Sequence, residues 1–201
     1  PKAVDIGRLV LSGQLPWLST NAMNGGGYAH EYIMGVFNPV SIGLYVLQAL
    51  IPDFATGAFV RSTILCCIIA ASVAWLCRSL GLGTLLAIAI AVSVSFNPYT
   101  ISWTAAAWVP GLVAFTWMVV AASAIIVFHL RPQHSTGWLI LFGTYCCLTS
   151  GYPHTIFILG LFAIAVLISR LLSGAGIADT LWMATWLAGG FICSLVALVP
   201  L

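Results

Sequence analysis

The chain of 201 residues is 62% hydrophobic and only 5% charged, with a mean hydropathy of +1.12, which excludes an ordinary soluble domain and identifies an all-α, polytopic helical membrane protein. Its net charge of +2 is carried by scattered Lys and Arg, so nucleic acid, which needs a clustered basic surface, is excluded as a partner. The six cysteines, Cys66, Cys67, Cys77, Cys146, Cys147 and Cys193, lie in or beside apolar runs without Cys-x-x-Cys or Cys/His metal spacing, and read as small buried apolar side chains.

The sequence opens at Pro1 without an initiator Met and stops at Leu201 inside an apolar run, so it reads as a piece cut at both ends. No signal-peptide pattern is visible at its start. From Pro1 to Leu18, Lys2, Asp5 and Arg8 alternate with apolar residues near helical spacing. This predicts an amphipathic helix in the membrane interface ending at Ser12-Gly13, with Asp5 as a first-turn charge.

The stretch Gly25 to Pro39, GGGYAHEYIMGVFNP, is the one place where a run of three glycines, a histidine, the sole glutamate and two tyrosines gather. Consecutive glycines favour a shaped loop that approaches a ligand closely, and Asn38-Pro39 closes it by opening the next helix. His30 and Glu31 follow the glycines directly. An ionisable pair in such a chain points to function, with Glu31 the leading candidate. Pro39 to Ile51 is apolar but too short to span, and reads as a re-entrant or interfacial helix stopped by Pro52-Asp53. Residues 1–56 thus form a first outer loop and 57–201 a transmembrane bundle.

Six spans are expected in that bundle: Gly57 to Cys77, Gly83 to Phe96, Ala105 to Phe128, Gly137 to Thr149, Thr155 to Ile168 and Asp179 to Leu198. If they alternate, Arg78, Arg131 and Arg170 fall on one side, cytoplasmic by the positive-inside rule. The Gly25 to Pro39 loop, the Asn97 to Trp108 connection and the Gly151 to His154 turn then share the outer face. Lys2, Arg8 and Arg61 land there against the rule. Arg61 lies just inside the first span, where it either snorkels to the interface or faces an anionic ligand. Trp103 and Trp108 read as interfacial anchors or as rings that stack on a sugar, and Tyr152 and His154 as a tight turn or a binding pair. His129 and His134 flank Arg131 without metal-pair spacing and read as solvated.

The run LVLSGQLPWLSTNAMNGGGYAHEYIMGVFNP, from Leu9 to Pro39, resembles the first outer loop of the YfhO-type bacterial membrane proteins. AWLCRSLGL (Ala74 to Leu82) resembles that family's arginine-bearing inner turn, SFNPY (Ser95 to Tyr99) its next outer turn, and SGYPHT (Ser150 to Thr155) its later outer turn. The ordered set carries the resemblance. It implies a GT-C-like glycosyltransferase of the bacterial cytoplasmic (inner) membrane, moving a sugar from a polyprenyl-phosphate-linked donor in the membrane lipid to an extracytoplasmic acceptor. On this resemblance Glu31 is the acidic residue at the reaction centre. The family's second acidic residue stands farther upstream than Asp5, so Asp5 does not inherit its role and the matching residue is expected before Pro1.

Such a reaction needs a carboxylate to take the acceptor proton and cationic or hydrogen-bonding groups to hold the leaving phosphate. Glu31 fits the first role, and His30, Arg61, Trp103, Trp108, Tyr152 and His154 the second or the sugar contact. One carboxylate supplies too few oxygen ligands for a divalent cation, so no metal or other cofactor is expected from these residues. Two other classes stay open: a transporter or lipid-linked sugar flippase, and a non-catalytic membrane scaffold subunit.

Overall fold

The structure, a computed structural model, describes residues 2–14, 35–105, 109–174 and 176–198. Those residues form helices without strands: α1 (Lys2–Leu11), α2 (Pro39–Leu50), α3 (Phe54–Ser79), α4 (Thr84–Ser95), α5 (Pro98–Ala105), α6 (Val109–Leu130), α7 (His134–Thr149), α8 (Pro153–Leu172) and α9 (Ile177–Leu198). Four helices are long and apolar enough to cross a membrane: Phe54–Ser79, Pro110–Leu130, Pro153–Leu172 and Ile177–Ala197. The chain is a helical membrane protein.

Two of the six expected spans are shorter. At 1.5 Å per residue, α4 reaches about 18 Å and α7 about 24 Å, against about 30 Å of hydrocarbon. The expected Asn97 to Trp108 connection contains a helix, α5. Its physical cause is in the sequence: Asn97 Oδ1 accepts from the Thr100 N–H at 3.0 Å as an N-cap, and Pro98 takes the first helical position, where its missing N–H costs nothing. Asn97 Nδ2 also donates back to the Val94 carbonyl at 2.6 Å, so the α4–α5 break satisfies its own backbone.

Helix starts and stops follow local chemistry elsewhere. Asp53 caps α3 by accepting from the Thr56 hydroxyl and, at 2.7 Å, from the Thr56 N–H, and these bonds hold its carboxyl below the usual carboxylate range. Gly13, Gly81, Gly151 and Gly174 take positive φ at turns between or after helices.

The burial pattern is that of a protein dissolved in lipid. Leu85 and Leu172 are 83% exposed, and Phe157, Leu161, Ile164 and Ile168 line an outward stripe of α8. Within the helices, hydroxyls turn back to their own carbonyls, as Ser72 does to Ile68, Thr116 to Leu112 and Ser95 to Ala91, each at 2.8 Å. Small residues let backbones approach: a Cβ on Gly190 of α9 would stand 2.6 Å from the Leu141 carbonyl oxygen of α7. α7 packs one face on α6 and α9, with Ile140, Cys146 and Cys147 fully buried, and leaves Trp138, Leu139 and Phe142 on an exposed face.

The buried apolar residues fall into two clusters. The larger joins α3, α4, α6, α7, α8 and α9, with Leu44 of α2, and the smaller holds Ile6, Val36 and Tyr45. α1 lies on α2 because Gly7 has no side chain; a Cβ there would meet the Tyr45 carbonyl oxygen at 2.2 Å. Of the cysteines, Cys66, Cys77, Cys146 and Cys147 are buried, whereas Cys67 and Cys193 are exposed on outward helix faces.

Candidate functional site

Asn38 organises one end of the bundle. It is fully buried, and its side chain uses both ends of the amide. Oδ1 accepts from the N–H groups of Val40 at 3.0 Å and Ser41 at 3.1 Å, capping α2. Nδ2 donates to the Cys146 carbonyl at 3.0 Å and to Ser150 Oγ at 3.1 Å, 108 and 112 residues away in sequence. The Tyr145 hydroxyl adds a bond to the Phe37 carbonyl at 2.7 Å. Gly35, with φ of 60°, lies so close to the α7–α8 turn that a Cβ would contact the Thr149 carbonyl oxygen at 3.4 Å. The last residues of the glycine-rich loop are thus clamped onto the turn that carries Tyr152 and His154.

At that turn Gly151 takes φ of 77° and Tyr152 caps α8 with extended backbone. The Tyr152 and His154 rings lie 5.2 Å apart, tilted by 33°. Tyr152 is half-buried, and the exposed His154 imidazole makes no hydrogen bond among the described residues. Thr155, buried just behind, donates its hydroxyl to the Tyr152 carbonyl at 2.8 Å and fixes the turn. A phenol and an imidazole side by side at a helix start suit a sugar hydroxyl or a phosphate oxygen.

Arg61 does not snorkel outward. It is only 5% exposed and turns inward to α2, where it donates to Gln48 Oε1 and sits 6.0 Å from the centre of the Tyr45 ring. Its Nε and the Gln48 Nε2 have no partner among the described residues. Gly57 permits this approach, since a Cβ would lie 3.0 Å from Gln48 Cγ. No described contact joins Arg61 to Tyr152 or His154. As an anchor between α2 and α3, Arg61→Ala should lower stability by about 1.5–3 kcal/mol, the range for hydrogen bonds to charged groups, because Gln48 loses its bond. Arg61→Met combined with Gln48→Met should recover most of that loss, since matched apolar replacement of a buried polar pair is often neutral. Thermal unfolding of the single and double variants in detergent checks this.

Glu31, His30 and Trp108 lie outside the described residues. Trp103 falls within α5, but its side chain is also outside them. Among the described residues no three of His, Cys, Asp and Glu gather as metal ligands.

The opposite end holds a cluster that the sequence did not announce. Arg170 is 2% exposed and its guanidinium Nη1 donates to the His129 carbonyl at 3.1 Å and meets His129 Nδ1 at 3.3 Å. Trp182 packs edge-on against Phe128 at 5.1 Å and His134 at 4.7 Å. His129 is therefore half-buried and engaged rather than solvated, while His134 stays exposed, its ring against Trp182. These contacts bring the ends of α6 and α8 together with the starts of α7 and α9, and α7 runs back from here packed on α6 and α9. Asn38 and Ser150 mark the far end. Comparison with family models, with characterised proteins and with solved structures finds no match for this chain.

Proposed function

We propose that this protein is a GT-C-like membrane glycosyltransferase, similar to the YfhO-type proteins, that uses a polyprenyl-phosphate-linked sugar as donor. In this reading Glu31 takes the proton of an acceptor hydroxyl, that oxygen bonds to the anomeric carbon, and the polyprenyl phosphate leaves with the bonding electrons. His154 and Tyr152 hold the sugar or the departing phosphate, and the buried Arg61 adds positive potential from behind α2. His30, Trp103 and Trp108 complete the sugar contact.

The observation that supports this reading best is the clamp of Gly35 and Asn38 on the α7–α8 turn. Glu31 stands four positions before Gly35, a chain length of at most about 14 Å, which supports assigning its carboxylate to the rim that carries His154. Exposed Arg78 and Arg131 belong to the other end, which favours a cytoplasmic assignment there and an outer assignment for the site. The two short helices, α4 and α7, complete a six-crossing path in this topology.

A flippase for the same lipid-linked sugar is the second reading, favoured by α4 ending after about 18 Å beside the separate helix α5. Broken helices at membrane depth are common in transporters. Purified protein in proteoliposomes, given a radiolabelled polyprenyl-phosphate sugar and extracts of envelope acceptors, decides between them. Covalent transfer of label supports the enzyme; movement of the lipid across the bilayer without transfer supports the flippase.

A further inference from the structure

Arg170 carries a pair of N–H groups that the fold does not use. The side chain is buried, and its Nη1 is engaged by the His129 carbonyl and ring. Nε and Nη2 form the other edge of the guanidinium, and neither makes a hydrogen bond among the described residues. Asp179, in the first turn of α9, makes no ion pair with Arg170 among the described residues. A buried guanidinium with one edge open is unfavourable, because a charge is stable out of water only when it is paired and fully hydrogen-bonded. Two parallel N–H groups are the fork that takes a carboxylate or a phosphate by two oxygens at once.

The place of the fork selects the anion. Arg170 lies near the end of α8, about 26 Å from Pro153 at 1.5 Å per residue, against about 30 Å of hydrocarbon. It therefore stands at headgroup depth, at the end of the bundle opposite to His154. Trp182 of α9, packed between Phe128 and His134, marks the same level, where indole rings prefer to sit. The adjoining helix ends turn hydrocarbon outward: Leu171 and Leu172 follow Arg170, Leu181 precedes Trp182, and all three are exposed. Arg131, two residues beyond His129, is exposed and adds a second positive charge to this rim. A phosphodiester that bears acyl chains answers each feature, with two free oxygens for the fork, one negative charge for the guanidinium and a tail for the leucines.

We infer that the Arg170 pocket, between the ends of α6 and α8 and the start of α9, binds the phosphodiester of an anionic phospholipid in the leaflet at that end. Basic pockets between membrane helices are a recurrent seat for such headgroups. The inference is independent of the proposed function, since neither Arg170 nor Arg131 takes part in the transfer.

Native mass spectrometry of the detergent-purified protein, titrated with phosphatidylglycerol or with phosphatidylcholine, reads the binding. Phosphatidylglycerol should bind about tenfold more tightly, because the choline cation opposes Arg131. Arg170→Lys keeps a donor for the His129 carbonyl but has no fork, and should weaken phosphatidylglycerol about tenfold while the melting profile holds. If that variant melts early, Arg131→Gln on the exposed rim decides, with an expected loss of about fivefold. Equal affinity for the two lipids, or phosphatidylglycerol binding unchanged in the deciding variant, would overturn the inference. So would displacement of the lipid by an equal concentration of glycerol phosphate, which has the headgroup chemistry without the hydrocarbon.

Discussion

Glu31→Gln is expected to abolish sugar transfer almost completely, by about 10²–10⁴-fold in kcat, the usual contribution of a general base. Glutamine keeps the size and hydrogen-bonding reach of glutamate but cannot take a proton from the acceptor. On the proposed function, binding of the donor should persist, because its phosphate and sugar are assigned to other groups, so KM for the donor should change little. His154→Ala is the informative companion. A residue that holds donor phosphate or sugar raises KM as well as lowering kcat, so the two variants should separate along that axis. Transfer by Glu31→Gln at the wild-type rate would remove the glutamate from the chemistry.

The second large effect is structural. Asn38→Ala removes the cap of α2 and both bonds to the α7–α8 turn. A lost N-cap costs about 1 kcal/mol and buried groups left unsatisfied add about 1–3 kcal/mol, so a loss of about 2–4 kcal/mol is expected. For a chain of this size that corresponds to a fall in Tm of roughly 4–16 °C. Asn38→Asp distinguishes the two parts: the carboxylate still caps α2 but has no N–H for the Cys146 carbonyl and Ser150. If the long-range tie matters most, the aspartate variant should be as unstable as the alanine one. Near wild-type stability of Asn38→Asp would reduce the residue to a local cap.

The contrast between what was and was not legible in the sequence follows from this residue. Asn38-Pro39 announced a helix start, because capping chemistry is local, and the same logic located the ends of α2, α3 and α8 within a few residues. Nothing in the sequence pointed from Asn38 to Cys146, since an amide bond across 108 residues leaves no periodic trace. Arg61 was legible as an anomaly, a charge inside an apolar run, but its direction was not. Whether such a side chain snorkels outward or turns inward depends on a neighbour, here Gln48 of α2. Arg170 is legible as a charge at a helix end on the arginine-bearing side; that the His129 carbonyl draws it inside is not. α5 was missed because eight residues carry too little hydrophobic period to stand out beside an Asn-Pro stop.

In the proposed topology one rim, outside the cytoplasm, gathers the glutamate and the Tyr152–His154 pair, with Arg131 on the far side. Single cysteines at Glu31, His154 and Arg131, in a chain whose native cysteines are replaced by serine or alanine, place these residues directly when intact cells are treated with a membrane-impermeant maleimide. Labelling at Glu31 and His154 from outside, with Arg131 reactive only after permeabilisation, is the predicted result. Glu31 and His154 reacting from opposite sides, or His154 and Arg131 from the same side, would contradict it.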